Sequence, residues 1–199
     1  GPKVSEVLRT ALAMGADKAV AIQDPALDGS DEYVTAMALA KAIQNIPYDI
    51  ILSGRIAIDD GSSQVTTRLA EILGIPSVTT VTELKVEGST ATVTRDIDGG
   101  SEVVEVPLPA VITAQKGLNE PRYPSVAGIM KAKKKELKTL TLADLGLSAA
   151  EAGAQGAKMK VVNLSLPPAR KAGRIIQGEP PQAVAELVNA LINEAKVIG

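Results

Sequence analysis

The stretch Leu52-Ser53-Gly54-Arg55-Ile56-Ala57-Ile58-Asp59-Asp60-Gly61-Ser62-Ser63-Gln64-Val65 decides how this chain is read. Asp49 to Ser53, with Ile50, Ile51 and Leu52, predicts a short buried strand. Ser62 or Ser63 can cap a helix that runs to Leu73 and ends at Gly74, with Pro76 beyond. Strand, loop and helix in that order form one side of a parallel-sheet unit. Upstream the same alternation holds. Val4, Val7, Leu8, Ala11 and Leu12 recur at helical spacing between Lys3 and Met14, Gly15 is the stop, and Ala19 to Ile22 reads as a buried strand. Asp28-Gly29-Ser30 makes a polar turn, and Ser30 or Asp31 can cap a helix carrying Val34, Met37, Ala38 and Lys41 to Ile43. This pattern predicts an α/β fold, a doubly wound parallel sheet covered on both faces.

Downstream of Pro76 the period changes. β-branched runs at Val78 to Val81, Leu84 to Val86, Ala91 to Thr94, Val103 to Val106 and Val111 to Thr113 are separated by Glu87-Gly88 and Asp98-Gly99-Gly100, which predicts a β-hairpin extension. Gly117 to Lys135 fits neither period and reads as a long loop entering a short helix, a length that often carries function. Leu145 to Lys160 is dominated by Ala and Gly and reads as a linker or loosely packed helix. Val161 to Leu166 is expected to form a last strand, and Pro167-Pro168 blocks a continuing helix. A helix from about Pro181 to Ala195 carries Val184, Leu187, Val188, Leu191 and Ile192 as one apolar stripe, which requires a surface to cover.

Composition excludes many functions. The chain holds 199 residues, 45% of them hydrophobic, so it can bury one substantial core. Net charge is −2, from 21 basic and 23 acidic residues, which supplies no general field for nucleic acid or anionic membrane. With no His and no Cys, imidazole and thiolate nucleophile systems and thiolate metal sites are absent. Tyr33, Tyr48 and Tyr123 are the only aromatic rings, too few for a base-stacking platform. No run approaches the ~18 apolar residues of a membrane span, and no signal-peptide pattern opens the chain. The expectation is a protein of a reducing cytoplasmic compartment, without direct membrane insertion. Gly1-Pro2 has the character of a scar left by tag removal.

The loop after the strand is the candidate nucleotide site. Ligands of open α/β sheets sit at the carboxyl ends of the strands, and a helix N-terminus offers unpaired N–H groups to a phosphate. The same Gly-Ser-Ser is also an ordinary helix cap, and Asp59 and Asp60 would repel phosphate unless they face a ribose or the helix dipole.

The phrase Ala57 to Val65 closely resembles the adenine-nucleotide loop of electron transfer flavoprotein beta subunits. Leu8 to Asp17, Asp96-Ile97-Asp98-Gly99-Gly100, and Leu118 to Tyr123 continuing through Gly128 to Lys135 agree in the same order. Leu166-Pro167-Pro168, Gly173 and Gln177-Gly178-Glu179 extend the likeness into the tail. The resemblance implies an adenine-nucleotide alpha-hydrolase-like fold. Residues 1–145 would form the nucleotide-binding domain, with a recognition loop at 117–135. Residues 146–199 would form a linker and C-terminal arm contacting an alpha subunit. It implies AMP held by Gly54 through Val65, with FAD carried mainly by the alpha subunit. In electron-bifurcating members a second FAD occupies the AMP site and NADH is oxidised. Thr66 departs from the glycine common in the family. The family also begins further upstream, with a strand and loop that form the other wall of this site, so the resemblance implies a longer native chain or a compromised pocket.

The resemblance further assigns Asn119, Glu120, Pro121, Arg122, Tyr123, Val126, Ile129, Met130 and Lys131 to recognition of flavin dehydrogenases, such as acyl-CoA dehydrogenases. Val126 stands where the family has an anchoring leucine, one methylene fewer and worth roughly 1 kcal/mol. Lys131, Lys133, Lys134 and Lys135 would guide encounter with acidic dehydrogenase surfaces. Read without the family, the apolar residues pack under the loop and the lysines form a solvated face. Asp96 stands where the family has a glutamate that pairs with an arginine of the other subunit; its plain reading is a turn-flanking carboxylate beside Arg95. The implied role is a non-enzymatic carrier subunit, passing single electrons towards the respiratory chain in fatty acid β-oxidation, with no bond-making residue of its own. The alternatives are the bifurcating subunit and a stand-alone adenine-nucleotide-binding module.

Overall fold

A computed structural model describes residues 3–169 and 172–198, so the opening Gly1-Pro2 lies outside the described range. The chain divides into two units, 1–160 and 161–199.

In the first unit, helix α1 (Val4–Met14) buries Leu12 and ends at Gly15, whose N–H donates to the Ala11 carbonyl. Strand β1 (Ala19–Ile22) follows, then a 3₁₀ turn, Pro25–Leu27, capped by Asp24. Helix α2 (Glu32–Ile43) begins at Asp31, whose carboxylate accepts from Val34 N at 2.9 Å. The small residues of α2 let it be enclosed on two sides. Val34, Ala38 and Ala42 pack with Leu142, Leu145 and Leu147, while Ala36 and Ala40 pack with Leu69 of helix α3 (Val65–Leu73). Helix α3 stops at Gly74 in the left-handed region (φ 69°), a conformation a Cβ disfavours.

Strand β2 (Ile50–Gly54) lies at one edge of a five-stranded sheet ordered β2-β6-β3-β4-β5. Its other members are β3 (Ser77–Glu87), β4 (Thr90–Ile97), β5 (Gly100–Pro107) and β6 (Ala110–Ala114). Strands β2, β6 and the start of β3 run parallel, whereas β3, β4 and β5 form an antiparallel meander. The hairpin turns fall where Glu87-Gly88 and Asp98-Gly99-Gly100 predicted them. Alternation along β6 sends Ala110 and Ile112 into a core with Val78, Val81, Val93 and Val106.

The pairing register of β3 with β6 shifts between Val78 and Val81. At that bulge Thr80 adopts φ 59°, an unusual conformation for a β-branched residue. Its backbone N–H donates to the buried Thr113 Oγ1 at 3.2 Å, and its hydroxyl donates to the Asp96 carbonyl at 2.8 Å. These bonds offset the strain and join the parallel part of the sheet to the meander.

The predicted single doubly wound sheet is not what the described residues form. The fold is α/β with a parallel-rich sheet, but β1 pairs only with β7 (Leu137–Leu140), in a separate two-stranded parallel sheet. One edge of β1 and one edge of β2 therefore have no partner strand among the described residues. Leu52, in the middle of β2, is 57% exposed. Nor is 145–160 loose. Leu145, Leu147 and Ala152 are buried against α2, a 3₁₀ turn spans Ala149–Glu151 and the short helix α5 spans Gly153–Gly156. Small residues here allow close packing instead of slack.

Val161 to Leu166 forms no strand; among the described residues no strand pairs with these, and they stay exposed. In the second unit, helix α6 (Pro180–Asn189) leads into a π-helical turn, Ala190–Glu194. Arg174 binds Glu186 and Glu194. Val184, Leu187, Val188 and Ile192 are all exposed. Among the described residues no helix is long and apolar enough to cross a membrane.

Candidate functional site

Parallel pairing of β2 with β6 puts Gly54 opposite Ala114, so both strands end at one edge. The loop to α3 leaves that edge from β2, and the loop to helix α4 (Val126–Ala132) leaves it from β6.

The first loop is closed by its own polar groups. Asp59 Oδ1 accepts from Asp60 N, and Asp60 Oδ1 from Ser62 N, both at 3.0 Å. Gly61 N donates to the Ala57 carbonyl at 3.1 Å. Ser63, at φ 54°, donates its hydroxyl to the Arg55 carbonyl at 3.1 Å. The aspartates thus accept bonds from the loop's own backbone, and only Asp60 of the two lines the cavity described next. The expected serine cap is corrected: the N-cap of α3 is Gln64, which makes no side-chain cap bond, because Ser63 turns into the left-handed region and its hydroxyl points back to Arg55. The first-turn N–H groups of α3 are left for water or a ligand. Gln64 instead accepts from the Arg68 guanidinium at 2.6 and 3.1 Å.

A cavity of about 330 Å³ lies inside this loop. Gly54, Arg55, Ile56, Ala57, Asp60, Ser62, Ser63, Gln64 and Val65 line it, and Ile58, Asp59 and Gly61 do not. Ile58 is fully exposed. Thr66 also lines the cavity, with its hydroxyl 2.9 Å from Ser53 Oγ at the end of β2. Arg55 Nε is buried and has no hydrogen-bond partner. A desolvated guanidinium nitrogen beside an uncapped helix N-terminus is a donor set that fits an anionic group such as a nucleotide phosphate. Ser53 was not singled out from the sequence; its place as the last side chain of the strand on the α3 side was the available signal.

The second loop runs from Gln115 to Ser125. Leu118 tucks against the meander core, while Asn119, Glu120, Pro121 and Arg122 are exposed. Ser125 caps α4 by accepting from Gly128 N at 3.0 Å. Tyr123 (93% exposed), Val126 (80%) and Met130 (60%) project outward, and Ile129 is partly exposed over a cavity of about 450 Å³ between α1 and α4. The reading in which these side chains pack under the loop therefore fails. Lys131, Lys133 and Lys134 are exposed, but Lys135 turns inward and its ammonium donates to the carbonyls of Leu12 and Ala16. Asp96, at the end of β4, is exposed; the neighbouring Arg95 pairs with Glu102 at 3.1 Å.

A profile of the electron transfer flavoprotein domain matches residues 1–145. An electron transfer flavoprotein subunit beta of Bacillus subtilis is 48% identical over 199 residues, covering all of this chain and 76% of that protein. One from Syntrophomonas wolfei is 47% identical, covering 98% of the chain and 73% of the relative. The caffeyl-CoA reductase-Etf complex subunit CarD of Acetobacterium woodii is 38% identical over 99% of the chain and 76% of its own length. A family match over residues 1–145 and nearly half of all positions identical over the full chain lead to one conclusion: the chain belongs to the electron transfer flavoprotein beta subunits.

Proposed function

We propose that this chain is the beta half of a heterodimer that carries single electrons from flavin dehydrogenases, acyl-CoA dehydrogenases among them, towards the respiratory chain in the bacterial cytoplasm. Its α/β part, residues 1–145, serves as an adenine-nucleotide alpha-hydrolase-like domain holding AMP. Residues 161–199 serve as the arm against the alpha subunit, and 146–160, packed on α2, lead into it. FAD sits mainly on the alpha subunit and supplies the one-electron chemistry, which a chain without His or Cys does not. The role of this chain is to bind and position.

The observation that carries the AMP assignment is Arg55. Its Nε is buried and has no partner, and Arg55 lines the cavity where the loop meets the open N-terminus of α3. There it donates to phosphate, with the first-turn N–H groups of α3 and the hydroxyls of Ser62 and Ser63. Thr66 is held back by Ser53, which leaves the backbone of α3 approachable despite its side chain. Tyr123, Val126 and Met130 form the apolar anchor for a dehydrogenase, with Lys131 guiding encounter. Asp96 is free to meet a cation of the alpha subunit, since Arg95 is engaged by Glu102.

Val126→Ala in the heterodimer tests the docking role. Electron transfer from a reduced acyl-CoA dehydrogenase should slow while the flavin's absorption spectrum stays the same; equal rates would remove the anchor assignment. The likeness to CarD, named as part of a reductase-Etf complex, supports a second reading in which a second FAD occupies the Gly54–Val65 site. One extracted flavin per heterodimer favours AMP there, and two favour the bifurcating form.

A further inference from the structure

Helices α1 and α4 are tied together by four hydrogen bonds that neither helix needs for its own formation. Arg9, on α1, donates through Nη1 to the carbonyls of Ala132 at 2.7 Å and Lys135 at 2.9 Å, at the C-terminus of α4. Lys135 returns the contact, with Nζ 3.1 Å from the Leu12 carbonyl and 2.6 Å from that of Ala16, at the C-terminus of α1. The C-terminus of α4 thus meets a cation from α1, and the C-terminus of α1 a cation from the turn after α4, which complements both helix dipoles. Between these bonds the backbones nearly touch. A Cβ at Gly128 would stand 2.4 Å from the Ala13 carbonyl oxygen, a separation no side chain tolerates. Below them Leu12, Ala132 and Ala19 form a small core.

Such effort is disproportionate for a seven-residue helix that buries little of itself. What α4 presents is Val126 and Met130, with Tyr123 three residues ahead of its start, all exposed. An exposed anchor contributes fully to binding only when its orientation is set beforehand, because otherwise association must also order it. We propose that Arg9 and Lys135 are positioning residues which, with Gly128, clamp α4 to α1 and hold the docking side chains in the orientation a flavin dehydrogenase requires. This rests on the docking role of the loop proposed above. It also removes Lys135 from the basic run that guides encounter, leaving Lys131, Lys133 and Lys134.

The test uses the intact heterodimer with an acyl-CoA dehydrogenase as donor. Arg9→Met and Lys135→Met should each raise the KM for the dehydrogenase by roughly tenfold, with kcat and flavin content unchanged at a temperature well below unfolding. Arg9→Lys, which can reach one carbonyl but not both, should recover part of the loss. Gly128→Ala should act in the same direction, by forcing the helices apart. Independently of any donor, amide hydrogen exchange over 126–132 should quicken in Arg9→Met while exchange in the meander, 77–107, stays as in the parent. If Val126→Ala raises KM but Arg9→Met changes neither KM nor exchange over 126–132, the clamp is wrong and the docking loop stands. If Val126→Ala also leaves KM unchanged, the docking role fails and the clamp's purpose with it.

Discussion

At Arg55 a buried nitrogen without a partner is a cost the fold alone does not explain. A phosphate would convert that cost into a charge-assisted bond, so Arg55→Met should weaken AMP binding by about ten- to a hundredfold, equivalent to roughly 1.5–3 kcal/mol. Isothermal titration of the nucleotide-free heterodimer reads this directly; unchanged affinity would mean that the guanidinium faces something else. Asp31 illustrates a residue with a structural duty. Burial pushes its carboxyl up, but the N–H groups of Val34, Lys158, Met159 and Tyr33 outweigh that and hold it below the ordinary value of 3.8. A depressed carboxyl contributes stability above about pH 4, and that contribution is lost as pH falls through the lower folded value. Asp31→Asn should therefore flatten the acid limb of a urea-stability profile below pH 4. The limb should not vanish, because Asp144, held down by Thr141, and Glu151, held down by Ser148, act in the same direction.

At the scale of elements, α3 matters most because its N-terminus faces the candidate phosphate site and its C-terminus depends on one glycine. Gly74→Ala places a Cβ in the left-handed region and should cost about 1 kcal/mol, seen as a lower urea midpoint with the same slope. The hairpins of the meander were legible in the sequence because Glu87-Gly88 and Asp98-Gly99-Gly100 are local turn chemistry beside β-branched runs. The helix start was not, since Ser63 at φ 54° looks in sequence like any capping serine. Strand partners were equally hidden. Apolar runs announce strands, but β1 pairs with a segment beyond residue 136, and nothing in Ala19–Ile22 names it. At the docking loop the sequence listed the residues, while only the fold separated the outward Tyr123, Val126 and Met130 from the inward Lys135.

For the whole molecule, the proposed function puts the chemistry on a partner and leaves this chain to bind and orient. The second unit shows the clearest preparation for that: α6 and the π-helical turn after it expose Val184, Leu187, Val188 and Ile192, and an uncovered apolar stripe on a helix is the signature of burial elsewhere. Val188→Asp should weaken association with the alpha subunit at least about tenfold by sedimentation velocity, while the circular dichroism of the chain is retained. The most direct measurement is native mass spectrometry of the chain co-expressed with its alpha subunit. A one-to-one heterodimer is expected, its mass including one FAD and one AMP, with the AMP lost in Arg55→Met and the FAD kept. A chain that flies alone, or a heterodimer that retains no nucleotide beyond a single flavin, would contradict it.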